Sequence, residues 1–270
     1  MSVHIKHRIR DGSIWLLTLL GISALHRART RRRGPLVRVI AFHHIKDVEW
    51  FERTIAFLVR DFHVLTPEEF HLRAFDLERI NVLITFDDGY ASWVSRALPV
   101  LEKYGVTAIF FIISGLLNKA KDQAARQAFF KERLCIVPKP ALTWEGAAML
   151  VAHGHTIGGH TVTHARLSTL SAADIEKEIH ENKHALESQL GVPLTDFAYP
   201  FGRHSDYSEE SRNSATKAGY THCYSAESGF FVDEATDIPR TLIERGQSTA
   251  SIGRWIRGGY DVFALLNMFK

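Results

Sequence analysis

Cysteine is nearly absent from this sequence, with two residues in a chain of 270. Cys135 and Cys223 are too few for a disulfide framework, and they lie too far apart for a paired-thiolate metal site. The low count excludes the class of small secreted domains that are held together by disulfides. Both cysteines are therefore expected to be small buried apolar residues, with one disulfide between them as the alternative.

A strong charge of one sign is also lacking, since the formal net charge is +3. The positive excess is concentrated in residues 1–33, where eight Lys and Arg residues accompany a single acid, Asp11. The rest of the chain is therefore slightly acidic. This distribution gives no basis for nucleic-acid binding by the globular part, and no nucleic-acid partner is expected.

No apolar run reaches the length of an ordinary membrane-spanning helix. The longest, SIWLLTLLGISAL at residues 13–25, is short of the about 20 apolar residues that a spanning helix needs. An arginine-rich stretch follows it, without the small-residue cleavage site of a signal peptide. A helix lying on an anionic membrane surface fits the length and the charge of residues 1–33. We therefore expect association with a bacterial inner membrane. Either face of that membrane is compatible with the sequence. The alternative is a cytoplasmic protein with a basic tail.

The chain divides at Gly34-Pro35 into a candidate anchor at residues 1–34 and a globular domain at residues 35–270. The composition, 46% apolar and 23% charged, is sufficient for a full-sized core. Apolar segments that read as strands occur at residues 37–42, 82–86, 107–113, 156–159, 197–201, 221–225 and 238–243. Segments with helical spacing occur at residues 91–104, 143–153, 172–190 and 208–218.

Apolar strands that alternate with helices are typical of a parallel sheet covered on its outside. The order predicts an α/β fold, namely a single distorted (β/α) barrel with about seven strands. Residues 119–140 are polar and weakly patterned, and we expect them to form an excursion near the mouth of the barrel.

Two adjacent carboxylates follow a predicted strand in the motif Thr85-Phe86-Asp87-Asp88-Gly89-Tyr90. Neighbouring side chains on an extended segment point in different directions, so the two acids can have different functions. One can bind a metal while the other acts as a base toward the substrate. The alternative for the motif alone is a strand end with an ordinary Asp-Gly turn.

Two histidines, His160 and His164, follow another predicted strand in the sequence Gly158-Gly159-His160-Thr161-Val162-Thr163-His164. On one turn of helix, residues four apart share a face, so both rings can reach one ion. Two histidines and one carboxylate leave coordination positions open for water and substrate, as a catalytic zinc site requires. The carboxyl ends of barrel strands are where such sites form.

These motifs resemble those of the polysaccharide deacetylase family, also called NodB-homology or carbohydrate esterase family 4. TFDDG resembles the first family motif, HTVTH the second, and Phe197-Ala198-Tyr199-Pro200-Phe201-Gly202 the third. The resemblance covers roughly residues 36–245, and it implies a NodB-type barrel as the catalytic domain. It implies the removal of N-acetyl groups from amino sugars of a polysaccharide or lipid-linked glycan.

The resemblance also implies a function for each motif residue. Asp87 would be the general base, and Asp88, His160 and His164 would bind Zn²⁺ or another divalent transition metal. The backbone N–H of Phe201 would stabilise the oxyanion. The remaining substrate-contacting positions of the third motif are Tyr199 and Pro200, although Tyr199 could equally pack at a strand end.

Two family features are missing. Many members have an arginine at the position of Ala198, and we expect Arg240 to replace it, with Arg245 as the alternative. The family's late histidine, which protonates the leaving amine, has no counterpart, since no histidine follows residue 222. Successive strand residues point in opposite directions, so only one of His43 and His44 can face the site. We expect His43 to be the proton donor.

Three alternatives for the activity remain. Ester cleavage releases an alcohol and depends less on a general acid, so a sugar O-acetyl esterase is compatible with the missing histidine. A deformylase of the same fold is the second alternative. A non-catalytic glycan-binding member is the third alternative. The presence of Asp87 and Asp88 together with both motif histidines argues against it.

Overall fold

The strands follow one another in the same direction through the chain, and helices connect them. The computed structural model describes residues 22–232, 237–259 and 261, and the structural findings refer to these. The strands are β1 Val37–Phe42, β2 His63–Leu65, β3 Asn81–Asp88, β4 Ile109–Ile112, β5 Thr156–Gly159, β6 Asp196–Ala198, β7 His222–Tyr224 and β8 Arg240–Leu242.

The helices vary from one turn to five. They are α1 Ile22–Arg31, α2 Val48–Asp61, α3 Pro67–His71, α4 Leu98–Lys103, α5 Ser114–Leu117, α6 Gln123–Phe129, α7 Trp144–Ala152, α8 Ala172–Leu190, α9 Glu209–Lys217 and α10 Thr249–Ile256. Segments Trp93–Ala97 and Phe130–Leu134 are π-helical, and Leu167–Thr169 is a 3₁₀ turn.

All strand pairs are parallel, and the sheet has the order β7-β6-β5-β4-β3-β1-β8, with β2 paired to the first half of β3. A parallel bridge between Tyr224 and Ile238 brings the two end strands together. Ile238 N–H donates to Cys223 O at 2.7 Å, and Ser225 N–H donates to Ile238 O at 2.9 Å. The sheet is thus a nearly closed barrel of seven strands, which confirms the predicted fold.

Apolar side chains fill both sides of the barrel wall. Strand β3 is buried at all of its positions, which explains its near-continuous apolar sequence. Leu83 faces a small cluster inside the barrel, and Ile84 faces the larger cluster beneath the helices. Phe86 in this outer layer stacks on Phe110 of the next strand, with ring centroids 4.5 Å apart. The alternation positions the polar residues that follow the strands.

Helix α8 has the predicted bounds and supports the candidate site. Its N-cap Ser171 accepts a hydrogen bond from Asp174 N–H, and Gly191 ends the helix in the left-handed conformation with φ 69°. The helix is therefore held at both ends, as the sequence indicated. It carries two residues, Glu178 and Asn182, that hold the histidine motif in place.

The predicted N-terminal anchor falls largely on residues 1–21, which lie outside the described residues. From Ile22 onward the segment is helix α1, which contacts the barrel domain. Arg27 Nη1 donates to Arg257 O at 2.8 Å, and Arg31 Nη2 donates to Glu78 O at 2.6 Å. Among the helices that the structure describes, none combines the length and the hydropathy needed to cross a bilayer.

Candidate active site

A pocket of about 270 Å³ lies at the carboxyl ends of the central strands. Its lining contains every site residue expected from the sequence except Pro200. The residues that line it are Ala41, His43, Asp87, Asp88, Tyr90, Leu134, Ile136, His160, His164, Tyr199, Phe201, Ala226, Arg240 and Leu242. Barrel enzymes use this end of the sheet for catalysis.

Asp88 ends strand β3 with a backbone bend at φ 89°, followed by Gly89 at φ 119°. The bend turns the carboxylate toward the histidine motif. Its Oδ1 lies 3.7 Å from His160 Nε2 and 3.6 Å from His164 Nε2. These distances are too long for hydrogen bonds, so three buried ligand atoms converge without bonding to each other directly.

Tyr90 orients the Asp88 carboxylate, because its hydroxyl donates a hydrogen bond to Asp88 Oδ2 at 2.8 Å. Burial raises the pKa of the phenol, and the charge of Asp88 and this hydrogen bond raise it further. The hydroxyl therefore remains a donor. The motif that ends in Tyr90 indicated no function for this residue, although its position directly after Gly89 is the signal that could have done so.

The two motif histidines lie on a loop, so the expected helical turn is wrong. Thr161 and His164 have left-handed backbones with φ 62° and 57°, and the segment has no helical hydrogen bonding. His164 N–H instead donates to Thr161 Oγ1 at 3.0 Å. The two left-handed residues bend the chain tightly enough to bring both rings to Asp88.

Helix α8 holds this loop through two side chains four residues apart. Glu178 accepts hydrogen bonds from the N–H groups of Val162 and Thr163 at 2.9 and 2.8 Å. The fully buried Asn182 accepts from His160 N–H at 3.1 Å and donates to Thr161 O at 2.6 Å. The i, i+4 spacing presents both groups on one face of the helix. A long amphipathic helix is thus part of the site architecture.

The glycines before the motif allow close packing behind it. A Cβ at Gly158 would meet the Phe111 ring, and one at Gly159 would meet the Tyr220 hydroxyl and the Asn182 amide. None of these three neighbours is an exposed flexible side chain, so a larger residue at either glycine would displace the loop. Strand β5 therefore ends in glycines because other elements approach it there.

The histidine side chains suit a metal ion. His160 Nδ1 donates to Ala198 O at 2.7 Å, which leaves the Nε2 lone pair facing Asp88. Burial lowers the pKa of His160, although both aspartates oppose it, and burial lowers the pKa of His164 to about 4. Both rings are therefore neutral near pH 7, as ligands must be. Their planes meet at 66°, so both lone pairs can point to one ion.

Asp87 forms a buried ion pair with Arg240, whose Nη1 lies 2.6 Å from Asp87 Oδ1. Burial alone would raise the pKa of this carboxyl, but the charge of Arg240 and its hydrogen bond to Asp87 lower it. Asp87 is therefore ionised and able to accept a proton. Arg245 is 55% exposed and lies 4.0 Å from Asp47 instead. Of the two expected arginines, the structure brings Arg240 to the site.

The adjacent histidines diverge after strand β1. His43 lines the pocket with the aspartates. The side chain of His44 bonds to Ser92 Oγ at 2.9 Å and packs on Tyr90. The structure thus places His43, the expected member of the pair, in the pocket with Asp87 and Asp88.

The third motif ends strand β6 at Ala198, earlier than expected. Phe201 has φ 61°, is 43% exposed and packs over the His164 ring at 4.7 Å. Within the described part of the chain, its backbone N–H bonds to no other residue. The Tyr199 ring is 1% exposed and stacks on Tyr207 at 3.9 Å, which favours the packing alternative for that side chain.

The excursion also contributes to the pocket. Leu134 and Ile136 form part of its wall, as the expected position of residues 119–140 near the mouth implies. The sequence did not single out either residue, because an irregular segment has no periodicity from which contacts can be read.

A second histidine–aspartate cluster, which the sequence did not indicate, lies at the amino ends of strands β6 and β7. His71 Nε2 lies 2.9 Å from Asp196 Oδ1, and His222 Nδ1 lies 4.0 Å from the same oxygen. Helix α3 supplies His71, so the three residues come from distant parts of the chain. Only the topology brings them together.

The fold and this arrangement of carboxylates and histidines define a barrel hydrolase of the deacetylase class. The family model described as "Polysaccharide deacetylase" matches residues 76–223. The chain therefore belongs to the polysaccharide deacetylase family, the NodB-homology or carbohydrate esterase family 4, whose characterised relatives are hydrolases of carbon–nitrogen bonds. His43 and Arg240 lie outside the matched residues.

Relatives agree with this assignment, and a solved structure agrees with the fold. YxkH of Bacillus subtilis strain 168, named as a proposed polysaccharide deacetylase, is 28% identical over 94% of this chain and 84% of its own length. The poly-beta-1,6-N-acetyl-D-glucosamine N-deacetylase of Staphylococcus aureus is 27% identical over 76% of this chain and 70% of its own. The Streptococcus pyogenes deacetylase PplD has the same fold, with a TM-score of 0.67 and 20% identity over 82% of this chain and 98% of its own.

Proposed function

We propose that this protein is a metal-dependent N-deacetylase that removes acetyl groups from amino sugars of a polysaccharide or lipid-linked glycan. The observation that carries the proposal is the convergence of Asp88 Oδ1 with the two histidine Nε2 atoms at 3.6–3.7 Å, beside the Asp87–Arg240 pair. The N-deacetylase activity in the name of the Staphylococcus relative supports the choice of bond.

Asp88, His160 and His164 would hold the divalent ion. Tetrahedral Zn²⁺ with bonds of about 2.0–2.1 Å separates its ligand atoms by roughly 3.4 Å, close to the spacing found here. The chemistry of the set, two neutral imidazoles and one carboxylate, suits zinc and similar transition metals. When bound, such an ion polarises the acyl carbonyl and acidifies water.

Asp87 would take the proton from the water that attacks the acyl carbon. The Arg240 ion pair keeps Asp87 ionised and fixes one of its oxygens, which leaves the other for the proton. The geometry separates the two acids in a way that suits the chemistry, since Asp88 accepts a hydrogen bond from Tyr90 and faces the histidines, while Asp87 accepts one from Arg240.

Collapse of the tetrahedral intermediate breaks the carbon–nitrogen bond and releases acetate and the amine. His43 would donate the proton that the departing nitrogen needs. The Phe201 N–H, which is unbonded within the described residues, would stabilise the oxyanion. The position of both residues on the pocket wall supports these assignments.

Acetate release from metal-loaded protein tests the proposal. N-acetylglucosamine oligomers are expected to lose acetate, whereas metal-free protein and protein reloaded with Mg²⁺ should be much less active. A matched set of O-acetylated sugars and an N-formylated amino sugar identifies the bond. Faster ester or formamide cleavage would replace the N-deacetylase assignment by an esterase or deformylase. Metal content by mass spectrometry, with no divalent ion retained after reconstitution, would contradict metal dependence.

We also propose that residues 1–33 bind an anionic membrane surface. In support, Leu25 is 60% exposed on helix α1, and Arg29, Arg32 and Arg33 are exposed beside it. Sedimentation with phosphatidylglycerol vesicles should retain the full chain, and phosphatidylcholine vesicles should not. Equal retention of an Arg29, Arg32 and Arg33 to Gln variant would contradict the proposal.

A further inference from the structure

A second groove adjoins the active-site pocket on the excursion formed by residues 119–140. Its volume is about 1180 Å³, which is larger than the catalytic pocket. We call it the basic groove, and it is lined by Ala124, Gln127, Ala128, Lys131, Cys135, Ile136, Val137, Pro138 and Lys139. Ile136 lines both spaces, so a substrate held beside Asp88 can extend across this residue into the groove.

The surface of the basic groove is mainly aliphatic. Ile136 and Val137 expose 43% and 72% of their surface there, although each is large and apolar. An exposed apolar patch with a polar rim is typical of a binding site. Among the described residues, none that line the groove is aromatic, so it offers no flat ring for stacking a sugar. Its walls suit a hydrocarbon chain better than a second sugar.

The rim of the groove is positively charged. Residues 119–140 contain six Lys and Arg residues and two acids, whereas the rest of the globular domain is acidic. Lys131 and Lys139 both line the groove, and neither pairs with a carboxylate of the described residues. By contrast, Lys121 on the same segment pairs with Glu145 at 2.6 Å. Unpaired ammonium groups at a groove favour an anionic ligand.

The charge of Lys139 also affects a residue next to the pocket, His44. Burial lowers the pKa of His44, and the positive charge of Lys139 lowers it further, ahead of Arg96 and Lys46. Lys139 and Ile136 belong to the same short segment, and Ile136 lines both the groove and the pocket. An anion bound by Lys139 would therefore lie on the side of the groove that adjoins the pocket.

We propose that the basic groove binds the phosphate and the adjoining hydrocarbon chain of a lipid-linked amino sugar whose acylated ring occupies the metal pocket. The inference rests on the proposed N-deacetylase function and narrows its substrate class. Lys131 and Lys139 contact the phosphate, and Ile136 and Val137 contact the chain. The groove thereby selects the substrate by its anchor as well as by its sugar.

Three soluble probes separate these contributions. They are N-acetylglucosamine joined through phosphate to a short prenyl chain, N-acetylglucosamine 1-phosphate, and neutral octyl N-acetylglucosaminide. The metal-loaded full chain should have its highest kcat/KM on the prenyl phosphate. The double variant Lys131→Ala, Lys139→Ala should raise KM about tenfold for both phosphate probes and leave kcat unchanged, because a remote contact contributes equally to ground and transition states.

Two matched variants provide controls. Lys121→Ala removes the same charge from the same segment outside the groove, and it should change KM for no probe. Val137→Ser should raise KM for the prenyl phosphate and the octyl compound but not for N-acetylglucosamine 1-phosphate. Circular dichroism and the thermal midpoint show that each variant is folded.

Several results would overturn the inference. Turnover of the neutral probe that equals the prenyl phosphate, with no loss in the double variant, excludes a phosphate site. A loss confined to oligomers containing uronic acids would assign the groove to an acidic polysaccharide instead. If no acetate is released from any probe, that result counts against the N-deacetylase assignment alone. Calorimetry with prenyl phosphate that carries no sugar then tests the groove separately, and absence of binding would contradict the phosphate site.

Discussion

Two clusters in this barrel have the same composition, two histidines and one buried aspartate, and they differ in geometry. At the carboxyl end, the rings of His160 and His164 meet at 66° around Asp88. At the amino end, the rings of His71 and His222 are stacked, 4.4 Å apart at 19°, beside Asp196. The first we call the catalytic cluster and the second the stacked cluster.

The ring planes decide what each cluster can bind. A metal lies in the plane of every imidazole that binds it, along the nitrogen lone pair. Nearly parallel rings that are stacked on each other cannot both point at one ion, whereas rings at 66° can. Residue type and proximity are therefore insufficient to identify a metal site.

Hydrogen bonding separates the clusters in the same way. Asp196 accepts hydrogen bonds from Tyr224 at 2.7 Å, Thr195 at 2.8 Å and His71 at 2.9 Å, so both of its oxygens are engaged. Asp88 accepts one, on Oδ2 from Tyr90, and its Oδ1 remains available to an ion. We expect the stacked cluster to stabilise the fold and the catalytic cluster to hold the metal.

The same substitution in both clusters should have the largest effect. Asp88→Asn removes the anionic ligand, so metal retention should be lost and acetate release should fall by at least about 10⁴-fold. Asp196→Asn, the matched control, should keep its metal and its kcat. Metal content and activity are measured on the same samples. Retention of zinc by Asp88→Asn together with loss by Asp196→Asn would reverse the assignment of the clusters.

Asp87→Asn should separate metal binding from proton transfer within the catalytic cluster. Because Asp87 pairs with Arg240 and not with the histidines, the variant should retain its metal. Loss of the general base should lower kcat by about 10²–10⁴-fold. Loss of metal as well would mean that the two aspartates have exchanged functions.

Asp196→Asn should have its main effect on stability. The substitution weakens charged hydrogen bonds at a fully buried site, which should cost about 2 kcal/mol of unfolding free energy. Urea denaturation with metal-loaded protein measures the change. An unchanged midpoint would show that the stacked cluster is not a stabilising element.

The smallest expected effect is on the free energy of unfolding at acidic pH. Burial alone would raise the pKa of Asp196, but the hydrogen bonds from His71, Tyr224 and Thr195 lower it overall. A carboxyl whose folded pKa lies below its unfolded value of about 3.9 stabilises the fold above that pH. The contribution is lost as pH falls through the folded pKa.

Asp196→Asn should therefore flatten the fall of stability below about pH 4. Unfolding curves at several acidic pH values, with wild type and variant compared at each, measure the slope. Parallel slopes in the two proteins would show that Asp196 has no part in the acid sensitivity.

Much of the fold could be predicted because its signals are local. Strands Val37–Phe42 and Thr156–Gly159 and helix Ala172–Leu190 have the bounds that apolar spacing and caps indicated. The apolar pattern predicts a strand at residues 197–201, but β6 ends at Ala198. The pattern continues past this end because the apolar Tyr199 packs against Tyr207. The spacing of His160 and His164 predicts a helical turn, which is wrong because spacing alone does not distinguish a helix from a loop with left-handed residues.

The candidate site divides in the same way. Asp87 and the residues proposed to bind the metal were predictable because adjacent acids and paired histidines at strand ends are short motifs. Tyr90 and the stacked cluster were not, because each acts through a partner that a local pattern does not specify. The basic groove belongs to an irregular segment, where composition shows the charge but not the cavity.

By itself, the sequence determined the α/β barrel, the two motifs of the candidate site and the membership in a deacetylase family. Each of these features depends on residue types that lie close together in the sequence, so a local pattern is enough to predict it. Only the tertiary structure decided between Arg240 and Arg245, and between His43 and His44. The register of β8 against β1, with Val39 opposite Arg240, brings that guanidinium to Asp87. Such choices depend on how distant strands align, and side-chain direction at a strand end follows from that alignment.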